Sequence, residues 1–187
     1  MYHCMVRAKD TKLWGGSMNL ERPNLTHQEQ YNEMMQEWIE DGGRLHPAAL
    51  SNNGVPYEKW LQWMKDDENV ETCPEGSPPQ TLYFCFDNGI LVGAVTIRHF
   101  LNERTVIAGG HVGIGIRPTK RRTGYATQAL GLAIQKLYAM GIDDILLTCA
   151  EGNIGSEKTM LKYGAIFENL VDVDGERQKR FWLRRTK

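Results

Sequence analysis

The segment Arg117-Pro118-Thr119-Lys120-Arg121-Arg122-Thr123-Gly124-Tyr125-Ala126 carries the chain's clearest chemical signal, because it separates a strand-like run from the start of a long helical pattern. Peptide N–H groups at a helix start lack intrahelical acceptors and hold the positive end of the helix dipole, so a phosphate or pyrophosphate can dock there. Gly124 permits close approach, and Lys120, Arg121 and Arg122 add charge. The segment lacks the Gly-Lys-Ser/Thr ending of a nucleotide P-loop and the three-glycine dinucleotide fingerprint, which argues against ATP and NAD. Standing alone, it would read as a basic solvated turn before an amphipathic helix.

Two other places could do chemistry. His111 opens the preceding strand, and an imidazole titrates near neutral pH, as a base for an ammonium substrate should. The competing reading is a half-buried strand histidine. Arg98, His99, Asn102 and Glu103 cluster just after an apolar strand, where a loop can carry binding groups on a rigid support. Arg98 could hold a substrate carboxylate in a bidentate contact and Glu103 could attract an amine, which would suit an amino-acid-like acceptor; the plain alternative is a solvated strand end. Cys4, Cys73, Cys85 and Cys149 form no C-x-x-C pair and the histidines complete no zinc spacing, so no metal site is expected. Trp38, Trp60 and Trp63 read as packing residues rather than a ligand cage.

These residues need elements to position them. Thr26-x-x-Glu29 has the form of a capping box, and Tyr31, Met34, Met35, Trp38 and Ile39 follow at helical spacing up to Gly42-Gly43. A loop leads to Pro56 and a second helix over about 56–68, followed by a breaker-rich loop to Gln80. Thr81–Asp87 and Ile90–His99 flank Asn88-Gly89 as an antiparallel hairpin. His111–Arg117 is a strand with unusual glycines at 113 and 115, where something can approach the backbone closely. From Tyr125 the apolar spacing is helical to Gly141. A strand 145–149, a helix 153–162 and a closing hairpin around Asp174-Gly175 complete a mixed α/β order.

The chain has 187 residues, with 22 Lys and Arg against 23 Asp and Glu, a length suited to one domain and a balance that removes the electrostatic warrant for nucleic-acid binding. Its longest apolar stretch, Ile90 to Ile97, falls short of the ~18 residues a membrane helix needs, and residues 1–16 lack a signal-peptide core. A cytoplasmic protein, monomeric or homodimeric, is expected. Residues 1–16 read as a dispensable appendage before a domain spanning 17–187.

The surrounding sequence resembles the GNAT superfamily of acyl-CoA-dependent N-acetyltransferases from Met18 to Leu183. The strand His111–Arg117, the loop Arg121-Arg122-Thr123-Gly124-Tyr125-Ala126 in the Arg/Gln-x-x-Gly-x-Gly/Ala pattern, Asn153-Ile154-Gly155-Ser156 and Lys162-Tyr163-Gly164-Ala165 carry the resemblance by order and spacing. Ile97-Arg98-His99-Phe100-Leu101-Asn102-Glu103 further resembles one bacterial branch. The resemblance implies a single-domain α/β fold, a mostly antiparallel twisted sheet flanked by helices and split at strands 4 and 5 to admit acetyl-CoA as cosubstrate. It implies that amides of Arg122, Thr123, Gly124 and Ala126, within the loop 121–126 that includes Arg121 and Tyr125, hold the pyrophosphate. The amide of Ile116 would contact the pantetheine arm, and that of Ile114 would polarise the thioester. Asn153 and Ser156 would flank the arm, although Asn153 can equally be only a helix cap. His111 falls near the family's base position, with Glu103 next in line. The family's tyrosine acid falls on Met160, which has no proton to give. The expected activity is acetyl transfer to a small-molecule amine by direct attack; the rival is a non-catalytic module that binds coenzyme A or another small ligand.

Overall fold

In the computed structural model, which describes residues 18–185, the helical spacing read from the sequence places Tyr31, Met34 and Trp38 on the buried face of α1 (Gln28–Asp41), and Gly42 ends it in a left-handed conformation at φ 65°. The start differs from the Thr26-x-x-Glu29 expectation. Asn24 caps a 3₁₀ turn by accepting from the Thr26 N–H, and α1 continues from that turn. α2 (Tyr57–Asp66) buries Tyr57, Trp60 and Leu61.

Four antiparallel strands, β1 (Asn19–Glu21), β2 (Gln80–Asp87), β3 (Ile90–Arg98) and β4 (Val112–Ile116), lie side by side in that order. On one face Leu82, Phe84, Phe86, Leu91 and Ala94 pack on α1 and α2; on the other, Val92, Val95, Ile97 and Val112 pack on α4 (Tyr125–Ala139). β3 is apolar throughout because both its faces are covered. A short helix α3 (Glu103–Ile107), absent from the sequence reading, follows β3.

The second sheet has the order β5-β7-β6, formed by β5 (Asp144–Ala150), β6 (Ile166–Val173) and β7 (Glu176–Arg184), with α5 (Ile154–Lys162) between β5 and β6. Ile145, Leu147, Phe181 and Leu183 join the α4 core. The two sheets meet at β4 and β5 without a shared ladder, so the expected split after the fourth strand is present. The appendage 1–16 lies outside the described residues. No helix among the described residues is long and apolar enough to cross a membrane.

Candidate active site

Where the sheets part, His111 joins them twice. Its N–H donates to Leu146 O at 2.8 Å, and its Nδ1 accepts the Leu146 N–H at 2.9 Å. Gly110, at φ 57°, makes this approach possible, because a Cβ there would collide with the Leu146 carbonyl. The imidazole thus replaces the strand carbonyl that the β5 amide would otherwise lack. Burial, with the Arg98 charge adding to it, lowers the His111 pKa. A neutral imidazole carries one proton, and with Nδ1 accepting that proton is on Nε2. No lone pair is left for an amine's proton, which corrects the expectation of His111 as base.

Beyond this clasp β4 and β5 diverge around a cleft of about 880 Å³. Arg98 N–H donates to His111 O and Arg117 N–H to Val92 O, which phases the β3–β4 ladder so that Gly113 and Gly115 pair with Thr96 and Ala94. Alternation then turns the N–H groups of Ile114 and Ile116 away from β3, into the split. The bare faces of Gly113 and Gly115 have another purpose than the one the sequence suggested. A Cβ at Gly113 would lie 3.4 Å from both His46 Nε2 and Pro47 Cβ, and one at Gly115 would strike the His46 carbonyl. Gly115 admits the α1–α2 loop, while at Gly113 the tighter neighbour of a Cβ would be Thr96 Oγ1 of β3, at 2.7 Å.

At one end of the cleft the loop 117–124 enters α4. Arg122 at φ 61° and Gly124 at φ 92° turn the chain, and Gly124 precedes the helix without a side-chain cap. Among the described residues the N–H groups of Arg122, Thr123, Gly124, Tyr125 and Ala126 have no acceptor. Five consecutive open amides at a helix start are a ready anion cradle, and they fit the pyrophosphate of coenzyme A.

The arginines beside the cradle are largely engaged. Glu33, Glu37 and Asp41 recur every four residues along α1, and they hold Arg117 Nη2 at 3.3 Å, Arg117 Nε at 2.7 Å and Arg121 Nη1 at 2.8 Å. Arg121 also donates to Ile116 O and lies over the Trp38 ring. Its first role is therefore to latch the loop to α1. Tyr125 Oη donates to Asp87 Oδ2 at 2.7 Å, so Tyr125 offers the cleft only its amide.

Across the cleft, Asn153 Oδ1 accepts the Ser156 N–H at 3.1 Å and caps α5, while both residues line the cavity. Met160 lines it too. Tyr163 is not a substitute acid, since its hydroxyl is committed to Thr127 O at 2.8 Å.

The polar cluster after β3 is divided by the fold. Only Arg98 reaches the cleft; its Nη1 donates to Gly109 O and Gly110 O at 3.1 and 2.8 Å. No carboxylate pairs with Arg98 among the described residues. His99 turns to Thr81 Oγ1 at 2.9 Å, and Asn102 caps α3 and donates to Gly76 O. Glu103 is exposed in the first turn of α3, outside the cleft wall, which removes it as a reserve base. Their sequence proximity hid that β3 ends there and the chain turns away. The sequence reading missed His46 and Arg44, which line the same end. They stand in an aperiodic loop with no signal in spacing or composition. Arg44 Nη1 lies 3.4 Å from Glu176 Oε2 across the mouth.

The chain matches the sequence profile of the acetyltransferase (GNAT) domain over residues 18–166. Among solved structures it is similar to the microcin C7 self-immunity acetyltransferase MccE in complex with acetyl-CoA and AMP, at 19% identity and TM-score 0.64, over 89% of this chain and 92% of that one. It is also similar to RimL, the ribosomal L7/L12 α-N-protein acetyltransferase in complex with coenzyme A, at 12% identity and TM-score 0.61, covering 89% and 93%. An acetyltransferase from Salmonella typhimurium that modifies the N-terminal serine of ribosomal protein L7/L12 aligns at 12% identity and TM-score 0.61, over 90% and 95%. At these identities the likeness is one of fold. No curated protein sequence matches the chain.

Proposed function

The chain belongs to the GNAT acetyltransferase family, and from that premise we propose that its cleft transfers the acetyl group of acetyl-CoA to the primary amine of a small, carboxylate-bearing acceptor. The observation that carries the reading is the run of open amides from Arg122 to Ala126 at the mouth of the β4–β5 split. Acetyl-CoA supplies the activated acyl group. The Ile116 amide orients the arm, and the Ile114 N–H donates to the acyl oxygen as charge builds there. The amine attacks directly: its nitrogen bonds the acyl carbon, the carbon–sulfur bond breaks, and the electron pair leaves on sulfur. Met160 gives no proton, but a thiol with a pKa of about 8.5 can leave as thiolate and take a proton from solvent.

Arg98 supports the choice of acceptor. A guanidinium facing a cavity with only carbonyls as protein partners is unneutralised, and a ligand carboxylate would complete it. A screen following free CoA across amines tests the reading. Release is expected with amino-acid-like acceptors and much less with their decarboxylated analogues. Stoichiometric acetyl-CoA binding with no release across the panel would favour instead a regulatory ligand-binding module.

A further inference from the structure

His46 stands in the loop between α1 and α2, and the loop is fixed to the fold. Leu50 is fully buried, Tyr31 Oη donates to Leu50 O at 2.7 Å, and Trp60 Nε1 donates to Ala49 O at 2.9 Å. Because β4 is bare at Gly113 and Gly115, the loop rests directly on the strand, and His46 Nε2 comes beside the residue preceding Ile114. The side chain is solvent-exposed and lines the cleft, with protein packed around part of the ring. Among the described residues no hydrogen bond occupies either ring nitrogen, in contrast to His111. We propose that His46 is the general base of the transfer, accepting at Nε2 the proton that the acceptor amine loses as it attacks.

The assignment rests on the acetyltransferase reading. The proton passes from the amine nitrogen to Nε2 and then to solvent, while the thioester's electron pair stays on sulfur. The charged groups that share the cleft with His46 are Arg98 from the end of β3, Arg44 from its own loop with its partner Glu176 of β7, Asp174 in the β6–β7 turn, and Arg121, which is paired with Asp41. Burial first, then Arg98 and Arg44, lower the pKa of His46. The ring is accordingly neutral near pH 7 and able to accept. With the abundant ammonium form, Nε2 takes the first proton before attack and passes it to solvent, then accepts the second as the nitrogen–carbon bond forms; a chain without the base must wait for the rare free amine.

The test compares pH profiles of the full chain, His46→Gln and His46→Ala with an acceptor found in the screen, alongside acetyl-CoA affinity by calorimetry. For the wild type, kcat/KM should rise at acid pH and level off around neutrality. Both variants should keep acetyl-CoA affinity, lose roughly 10²–10⁴-fold in kcat/KM near pH 7, and climb about tenfold per pH unit toward the acceptor's own pKa. Arg44→Gln should move the wild-type acid limb to higher pH, an effect no purely structural role gives. Wild-type rates and profile in both His46 variants would overturn the assignment and leave the acetyltransferase reading intact. Loss of acetyl-CoA affinity in both would also overturn it, in favour of a structural role. A wild type that releases no CoA with any acceptor removes the reading and the assignment together.

Discussion

At the end of the cleft proposed for the cofactor the chain offers peptide amides from one continuous segment, Arg122 to Ala126, whereas at the end proposed for the acceptor His46 and Arg98 arrive from segments far apart in sequence. The first end presents backbone, and its side chains serve mainly to hold that backbone in place. The second presents side chains, and a backbone bare at Gly115 lets the His46 loop lie against it. Backbone recognition tolerates side-chain change wherever the turn survives. Side-chain recognition fails residue by residue. The two ends should therefore respond to different kinds of substitution.

The sharpest break in the comparison is Gly124→Glu. Gly124 sits at φ 92°, where an L residue is strained by about 1–3 kcal/mol, and the new carboxylate repels a pyrophosphate beside it. Acetyl-CoA affinity should fall by roughly 10²-fold or more in calorimetry. Wild-type affinity would show that the open amides are not the cofactor cradle. At the other end, Arg98→Gln should leave that affinity unchanged and raise KM for a carboxylate-bearing acceptor by roughly 10–100-fold, the worth of a charge-assisted hydrogen bond. The discrimination against decarboxylated amines should shrink with it, and an unchanged KM would refute the acceptor class.

The same contrast explains what the sequence disclosed. The helix α4, its preceding turn, the β2–β3 hairpin and the β4 strand were legible because each is signalled by neighbours: a period, an Asn-Gly pair, a glycine before an apolar run. The segment proposed as the cofactor cradle is local in sequence, so its turn and helix start were legible too. At the other end only Arg98 was legible. His46 lies in a loop without period, and its place opposite β4 is set by long-range packing of Tyr31, Leu50 and Trp60. Arg98, His99, Asn102 and Glu103 looked like one cluster, but a strand end and the short α3 send them in different directions. His111 was noticed for its chemistry, yet its partner Leu146 sits on another sheet, which no spacing announces.

Between the two ends, His111 tests whether the clasp is structural. His111→Ala leaves the buried Leu146 N–H without an acceptor, a loss of about 1–3 kcal/mol that should appear as lowered thermal stability. In the wild type the folded-state pKa of His111 is depressed. The unfolded state then binds protons more readily, and the contribution of His111 to stability falls as pH drops below the unfolded value of about 6.5. The alanine variant should lose that part of the acid sensitivity. If it instead melts like the wild type and only turnover suffers, the imidazole has a chemical role after all. A smaller effect is expected at the latch. Asp41→Asn weakens a half-exposed ion pair with Arg121, which is worth about 0.2–1 kcal/mol, so acetyl-CoA affinity should drop no more than roughly fivefold, and less in high salt.

The smallest effect should come from removing residues 1–16. Among the described residues the cradle leans on α1 and on Asp87, and the other end of the cleft on the α1–α2 loop and β3. Among the described residues the first side chain in the α4 core is Met18 and the first strand pair is Asn19 with Phe86, and the family match begins at residue 18. We propose that a chain starting at Ser17 keeps every one of these contacts. Its melting temperature should stay within about 2 °C of the full chain, a shift that less than 1 kcal/mol produces at this size, and its acetyl-CoA affinity and turnover should be unchanged. A larger fall in melting temperature would place part of the domain before β1. A loss of turnover at unchanged stability would mean that the segment reaches the acceptor end, and the contrast between a local cofactor site and a dispersed acceptor site would then gain a third, N-terminal contributor.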